Sequence, residues 1–373
     1  MVCSCYLLNN WWFFLLLIIP FSSAGQQYTW KAGVSTFRGF ILEHNDDMQG
    51  LASTYPQGAE LVIAKQTYGY QEWEGFLNYP EVGLGVGWID YRFPEVLGES
   101  VSVAPFMKFR VFTGNRASLR FRLGTGIGIH SQPFNPESNR ANHALSSSLS
   151  FNMHGKLGYY IQAGQHWRMG LETGIWHFSN GSWTQPNSGI NVVYGSVHVT
   201  RKIGQQQVAY QPGPSVKLDE KFFYWFFQAN GGLNMSRDLA GKNIRKRFLY
   251  TSYNVSGNWQ LSRISSVHVG ADAFFSNTIK REIKERFTYG QEDKRYDHRR
   301  AGVFAGHELH ANRLSLVVQA GVYVYQPYAH LQRRFYQRYG LRYLLSDALC
   351  LSLQLKTHGG VAEVVAWGIG FKL

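Results

Sequence analysis

The chain has few cysteines, few charged residues and few long apolar runs. It contains only three cysteines in 373 residues, and Cys3 and Cys5 lie in the leading segment, which leaves Cys350 without an internal disulfide partner. Beyond residues 11–19, no segment reaches the roughly 20 apolar residues that a transmembrane helix needs. These shortages argue against a disulfide-stapled scaffold and against a helical membrane protein.

The first 24 residues have the pattern of a secretory signal peptide. An apolar run, Trp11–Ile19, is followed by Pro20 and the small residues 22–24, an order typical of a cleavable signal. The first charged residue is Lys31, so the usual basic start is missing, but the run is short for a membrane anchor. We expect residues 1–24 to be removed and the protein to be exported.

The remaining composition favours a membrane barrel. Aromatic residues make up 16% of the chain, there are 39 glycines, and the mean hydropathy is only −0.24. A barrel with one lipid-facing and one wet face gives this mixture. The net charge of +13 indicates an anionic partner. Export and the lack of a compact basic module argue against nucleic acid and favour a phosphorylated lipid.

Apolar residues alternate with glycine or polar residues along most of the chain. Clear examples are Leu119–Ile129, Leu314–Val324 and Leu349–Leu355, and period-two alternation predicts strands with two different faces. We count about sixteen such segments, with long connections after odd-numbered strands and mostly short ones after even-numbered strands, as in outer-membrane barrels. The predicted fold is therefore all-β, an antiparallel up-and-down transmembrane β-barrel.

The middle of the chain leaves two arrangements open. Residues 204–221 contain Pro212 and Pro214 and read as a linker between residues 25–203 and residues 222–373. One barrel of about sixteen strands with a periplasmic excursion is the favoured interpretation, and two tandem eight-stranded barrels are the alternative. The last residues, from Val365 on, alternate like a strand that closes a barrel.

One strand end carries possible chemistry. His177 and Ser179 are two residues apart, so they lie on the same face of the predicted strand as Met169, Leu171 and Ile175. If this face meets lipid, a base and a nucleophile are presented to the membrane. By itself the pair also fits an ordinary polar cap at a membrane interface.

The wider motif resembles a known family. The string His177-Phe178-Ser179-Asn180, with Pro186-Asn187 and Gly189-Ile190 downstream, resembles the outer-membrane lipid A 3-O-deacylases of the PagL type, most strongly over residues 166–203. The closing stretch Trp367–Phe371 resembles larger acyloxyacyl hydrolase-like barrels. The resemblance implies a serine esterase whose site faces lipid in the outer leaflet and needs no cofactor.

The resemblance also implies roles for individual residues. Ser179 becomes the nucleophile and His177 the general base, which fits the need of a serine hydroxyl for a neighbouring imidazole. Asn191 stands where the family has an orienting glutamate, and on strand parity it shares the outward face of His177. Asparagine can hold an imidazole tautomer but supplies no full charge, so we expect a slower triad or an acid from elsewhere. Oxyanion stabilisation is assigned to Asn187, with Asn180 and the Gly181 amide nearby.

Two further motifs carry weaker indications. His307 and His310 are three residues apart in a strand-like segment, unlike the helical zinc signature, so no metal is expected. Two connections, near residues 242–247 and 280–300, are rich in lysine and arginine. If they lie outside the cell, their arginines suit the phosphates of lipid A.

The predicted protein is a serine esterase of the bacterial outer membrane that removes an ester-linked acyl chain from lipid A. Its partner is outer-leaflet lipopolysaccharide, it is embedded in the membrane and it binds no nucleic acid, while a possible homodimer is left open. Two alternatives remain: a non-enzymatic porin or structural barrel with a vestigial site, and a phospholipase of the same membrane. A porin would use the water-filled lumen of a large barrel.

Overall fold

A computed structural model describes most of the chain, namely residues 28–203, 208–212, 222–241, 244–286, 296–329 and 333–373. Antiparallel strands dominate these ranges, and the helices among them are short. No helix within the described ranges is long and apolar enough to cross a membrane. The predicted signal peptide, residues 1–24, and most of the predicted linker, residues 204–221, lie outside the described residues.

The strands form two groups of eight. The first group is β1 (Thr29–Ile41), β2 (Gln57–Gln66), β3 (Glu81–Asp90), β4 (Glu99–Thr113), β5 (Ala117–His130), β6 (Leu149–Ala163), β7 (Trp167–Ser179) and β8 (Ile190–Ile203). The second is β9 (Phe223–Asn234), β10 (Phe248–Ser262), β11 (Ser265–Ser276), β12 (Arg299–Ala311), β13 (Leu314–Tyr325), β14 (Phe335–Leu344), β15 (Leu349–His358) and β16 (Val361–Lys372). The helices α1 (Glu72–Phe76), α2 (Arg237–Gly241) and α3 (Asn277–Arg286) lie in connections between strands.

Each group closes on itself, so the prediction of a single barrel of about sixteen strands is wrong. Strand β8 pairs with β1 along almost its whole length, from Ile203 opposite Trp30 to Val192 opposite Ile41. Strand β16 likewise pairs with β9, which leaves neither β8 nor β9 an edge for the other. The all-β class and the alternative of two tandem eight-stranded barrels are confirmed. Closure pairs the backbone N–H and C=O groups that an edge strand would leave unpaired, as a location in the hydrocarbon core of a membrane requires.

The faces of the strands are inverted relative to a soluble protein. On β7 the side chains of Met169, Leu171 and Ile175 are exposed on the outside, and Leu171 is 67% exposed. The intervening Glu172 and Trp176 are buried inside the first barrel. Apolar residues outside and polar residues inside are the pattern of a transmembrane barrel.

Ion pairs fill the interior of both barrels. In the first, Glu60 accepts hydrogen bonds from both Nη atoms of Arg122, at 3.1 and 2.7 Å, and also pairs with Lys156. In the second, the Asp272 carboxylate accepts one hydrogen bond from each Nη atom of Arg338, both at 2.8 Å. An eight-stranded barrel is just wide enough to be filled by side chains. The wide lumen on which the porin alternative depended is therefore not formed.

The connections differ in length at the two ends of the barrels. Those after odd-numbered strands include the long segments 42–56, 131–148 and 180–189, whereas those after even-numbered strands include the short turns 114–116 and 164–166. We call the end with the segments after odd-numbered strands the outer rim, because long loops face outward in outer-membrane barrels. The segment that follows Ser179 lies at this rim.

Candidate active site

Two paired strands bring the predicted base and its partner together. His177 on β7 is directly opposite Asn191 on β8 in the antiparallel register. Both side chains point outward, since the alternation along each strand buries their neighbours Trp176, Phe178 and Val192. His177 Nδ1 and Asn191 Oδ1 are 2.7 Å apart. Because the amide oxygen can only accept, this bond places a proton on Nδ1 and leaves Nε2 with its lone pair.

Ser179, the last residue of β7, lies next to two hydrogen-bond donors. Its Oγ accepts from Asn187 Nδ2 at 2.9 Å and from the Gly181 backbone N–H at 3.2 Å. These are two of the three residues that the sequence suggested for oxyanion stabilisation. When a nucleophilic oxygen bonds to an ester carbonyl carbon, negative charge develops on the neighbouring carbonyl oxygen. Donors this close to the nucleophile are well placed to stabilise that charge.

Asn180, the third of those residues, is placed differently. Its side-chain Nδ2 donates to Ser146 Oγ at 3.0 Å and to Thr184 Oγ1 at 2.8 Å, which attaches the segment after β7 to the β5–β6 connection. Its backbone N–H donates to Asn187 Oδ1 at 3.1 Å. The second bond orients the Asn187 amide so that its Nδ2 faces Ser179. Asn180 therefore acts on the site through Asn187 rather than by contact with Ser179.

Gly189 keeps space open between the base and the nucleophile. It has a φ of 74°, and a Cβ there would lie 3.1 Å from His177 Cε1 and 3.7 Å from Ser179 Cβ. A glycine is needed both for this left-handed backbone and for the close approach. His177 and Ser179 thus flank one small space, although no hydrogen bond joins them in the described structure. Catalytic hydrogen bonds are often loose until substrate binds.

His44, in the connection between β1 and β2, is a site residue that the sequence pattern does not indicate. Its Nε2 is 2.9 Å from the Ser188 carbonyl oxygen, and its Nδ1 is 3.2 Å from Asn191 Nδ2. A carbonyl can only accept, so the shorter contact places the proton on Nε2. Nδ1 lies 3.2 Å from both the Leu42 carbonyl oxygen and Asn191 Nδ2, and in this tautomer it accepts from Asn191. His44 thereby orients the amide whose oxygen binds His177. It is remote in sequence and sits in no recognisable motif, so only the fold reveals it.

The described ranges contain no cluster of three or more histidine, cysteine or acidic side chains that could hold a metal ion. His307 and His310 instead contact serine hydroxyls, with His307 Nε2 2.8 Å from Ser265 Oγ and His310 Nε2 3.0 Å from Ser266 Oγ. These contacts tie neighbouring strands of the second barrel together.

Two family models match this chain, one for each barrel. Residues 58–200 match the lipid A 3-O-deacylase (PagL) model, and residues 223–373 match the model described as acyloxyacyl hydrolase, C-terminal domain. Lipid A deacylases are ester hydrolases, and this is the class that the match of the first barrel defines. The first barrel of this chain is a lipid A 3-O-deacylase (PagL) domain, of a family of outer-membrane enzymes, and the second is an acyloxyacyl hydrolase C-terminal domain. The predicted family is confirmed.

Solved structures give more distant likenesses. The outer membrane enzyme PagL is 19% identical, with a TM-score of 0.34 over 44% of this chain and 97% of that chain. The toluene transporter TodX of Pseudomonas putida is 7% identical (TM-score 0.19; 92% of this chain, 87% of that chain). OpdO of Pseudomonas aeruginosa is 9% identical (TM-score 0.22; 92% and 96%). Comparison with curated proteins found no match. The family assignment rests on the two sequence models.

Proposed function

We propose that this protein removes an ester-linked acyl chain from lipid A through an acyl-serine intermediate on Ser179. The observation that carries the proposal is that Asn187 Nδ2 and the Gly181 N–H both donate to Ser179 Oγ, while His177, bound to Asn191, lies across the small space at Gly189 from Ser179. The family description points to a 3-O ester as the bond that is cleaved.

The first step transfers the acyl chain to the enzyme. Ser179 Oγ attacks the ester carbonyl carbon while His177 Nε2 takes its proton. The carbonyl oxygen becomes negatively charged, and the Asn187 Nδ2 and Gly181 N–H donors stabilise it. When the tetrahedral intermediate collapses, the bond to the sugar oxygen breaks and His177 returns the proton to that oxygen. The products are the sugar hydroxyl and an acyl-serine.

The second step releases the fatty acid. Water attacks the acyl-serine carbonyl carbon, and His177 Nε2 again accepts a proton. Collapse of the second intermediate breaks the bond to Ser179 Oγ, which takes the proton back. The hydrogen bond from Nδ1 to Asn191 Oδ1 keeps the imidazole in the tautomer that both steps need. Asn191 adds no negative charge, so the imidazolium is less stabilised than beside a carboxylate.

The location of the site supports a lipid substrate. Below His177 the outward stripe of β7 continues with Ile175 and Leu171, which are 39% and 67% exposed. An acyl chain can lie along this apolar surface while its ester reaches Ser179 at the rim. The substrate then stays in the membrane during the reaction, which avoids the cost of moving its chain into water.

The direct test is incubation of the refolded protein with lipopolysaccharide, followed by mass spectrometry of lipid A. We expect loss of one hydroxyacyl mass with the wild type and no loss with Ser179→Ala. Thr173→Val is the matched control, because Thr173 lies on the same outward face of β7 but away from the site. It should retain activity.

The other candidate functions predict different results. Unchanged lipid A combined with release of fatty acid from added phospholipid would indicate the phospholipase alternative. If neither lipid is changed by the wild type, the esterase proposal is wrong. The sequence left a homodimer open, and the mass of the detergent-solubilised protein tests it separately.

A further inference from the structure

The β7–β8 connection, residues 180–189, contacts the second barrel, and we call it the catalytic loop. Ser182 Oγ donates to the carbonyl oxygen of Ala362 on β16 at 2.6 Å, and the Met235 N–H after β9 donates to the Ser182 carbonyl oxygen at 2.9 Å. Arg247 Nε donates to the Trp183 carbonyl oxygen at 3.1 Å, and its guanidinium lies 4.5 Å from the centre of the Trp183 ring. Two consecutive residues of the catalytic loop are thus held by β16 and by both ends of the β9–β10 connection.

The same segment has an unfavourable backbone. Gly181 and Ser182 have φ values of 65° and 66°, and a non-glycine residue pays for this left-handed conformation. Such residues persist when their surroundings fix them. Apart from a 3.4 Å contact with Gln185 Nε2, both hydrogen bonds of Ser182 go to the second barrel. The turn is closed by its own hydrogen bond from the Trp183 N–H to the Asn180 carbonyl oxygen at 3.3 Å, but the contacts that fix Ser182 and Trp183 from outside the turn come mainly from the second barrel.

Gly181 links this turn to the chemistry. Its N–H donates to Ser179 Oγ, and a Cβ at Gly181 would come within 2.4 Å of Val365 Cγ2 on β16. The backbone of the oxyanion donor therefore packs directly against the second barrel. A shift of the turn relative to β16 would change the direction of the Gly181 N–H.

We infer that the second barrel positions the catalytic loop of the first, with Arg247 and Ser182 as the positioning residues that hold the Gly181 N–H toward Ser179. The inference rests on the proposed esterase function for its catalytic consequence. The second barrel then contributes to catalysis, although it contains neither the nucleophile nor the base.

The test compares two arginines that both join the barrels. Arg247 contacts the catalytic loop at the outer rim, whereas Arg263 pairs with Glu72 at 2.8 Å at the opposite rim. Arg247→Met and Ser182→Ala should each lower kcat about tenfold or more with KM changed less than about twofold, because a misplaced oxyanion donor weakens the transition state. Arg263→Met removes a contact between the barrels without touching the loop and should leave kcat unchanged.

Hydrogen–deuterium exchange of the loop gives a second readout that needs no activity. Peptides covering residues 180–189 should exchange faster in Arg247→Met and Ser182→Ala than in the wild type, and at the wild-type rate in Arg263→Met. Folding of each variant is checked by heat-modifiable migration on gels. If the wild type does not act on lipid A, the proposed function fails, and exchange alone then decides whether the second barrel holds the loop.

Three results would overturn the inference. Unchanged kcat and unchanged exchange would show that the contacts do not hold the loop. Faster exchange with unchanged kcat would make them structural contacts only. A raised KM with unchanged kcat in Arg247→Met would make Arg247 a substrate-binding residue instead.

Discussion

At the residue scale, an asparagine beside a catalytic imidazole presents a problem that a carboxylate does not. Either oxygen of a carboxylate can accept a hydrogen bond from the imidazole N–H. An amide whose NH2 group faces the imidazole would instead place two donors against each other. The described structure resolves this for Asn191 through His44, whose Nδ1 faces Asn191 Nδ2 at 3.2 Å. The tautomer of His177 thus depends on the β1–β2 connection as well as on its own strand pair.

This dependence predicts an interaction between two substitutions. His44→Phe should lower kcat about fivefold, the effect of about 1 kcal/mol for one lost hydrogen bond. Asn191→Asp should raise kcat, because a carboxylate stabilises the imidazolium. In the Asn191→Asp background His44→Phe should cost less than it does in the wild type, since a carboxylate has no wrong orientation.

A double-mutant cycle of steady-state rates measures the coupling directly. Equal His44→Phe penalties in both backgrounds would contradict an orienting role for His44. Phenylalanine keeps a ring of similar size at the position, so the comparison isolates the loss of the ring nitrogens.

At the element scale, period-two alternation predicted which residues of the site share the outward face, which the motif alone does not. The parity of β7 put His177 and Ser179 on one face with Leu171, and the parity of β8 put Asn191 on the matching face, as the structure has them. Parity is a local property and can be read from a few residues. The position of His44 could not be read in this way, because it depends on a contact across 147 residues of sequence.

The outward stripe of β7 also predicts the effect of a charge on stability. Leu171→Arg should destabilise the folded protein in the membrane by about 2–4 kcal/mol, the cost of arginine on the lipid face near the midplane. Denaturant unfolding from lipid vesicles measures this. Leu171→Ala is the control, since it removes the side chain without adding a charge and should cost less. An equal cost for both variants would mean that the stripe does not face hydrocarbon.

At the scale of the whole molecule, strand alternation was compatible with one barrel or with two. Sixteen alternating segments fit either arrangement, and the stretch around Pro212 resembles an excursion as much as a linker. What distinguishes them is the pairing of β8 with β1, which joins strands more than 150 residues apart in sequence. Such pairing has no local signal in a single sequence. Closure into two barrels of eight strands also determines that side chains fill each interior, since eight strands leave room for little else.

The two filled interiors predict that the protein does not conduct ions. Glu60 with Arg122 and Asp272 with Arg338 occupy the two lumens as buried, mutually neutralised pairs. Opening a water-filled path would require breaking such pairs, and an uncompensated buried charge costs about 3–5 kcal/mol. In planar bilayers the wild type should give no steady ohmic steps at moderate voltage, with a known porin in the same bilayers as the positive control. Reproducible conductance steps from the wild type would mean that the interiors open in the membrane, and the porin alternative would then return beside the esterase.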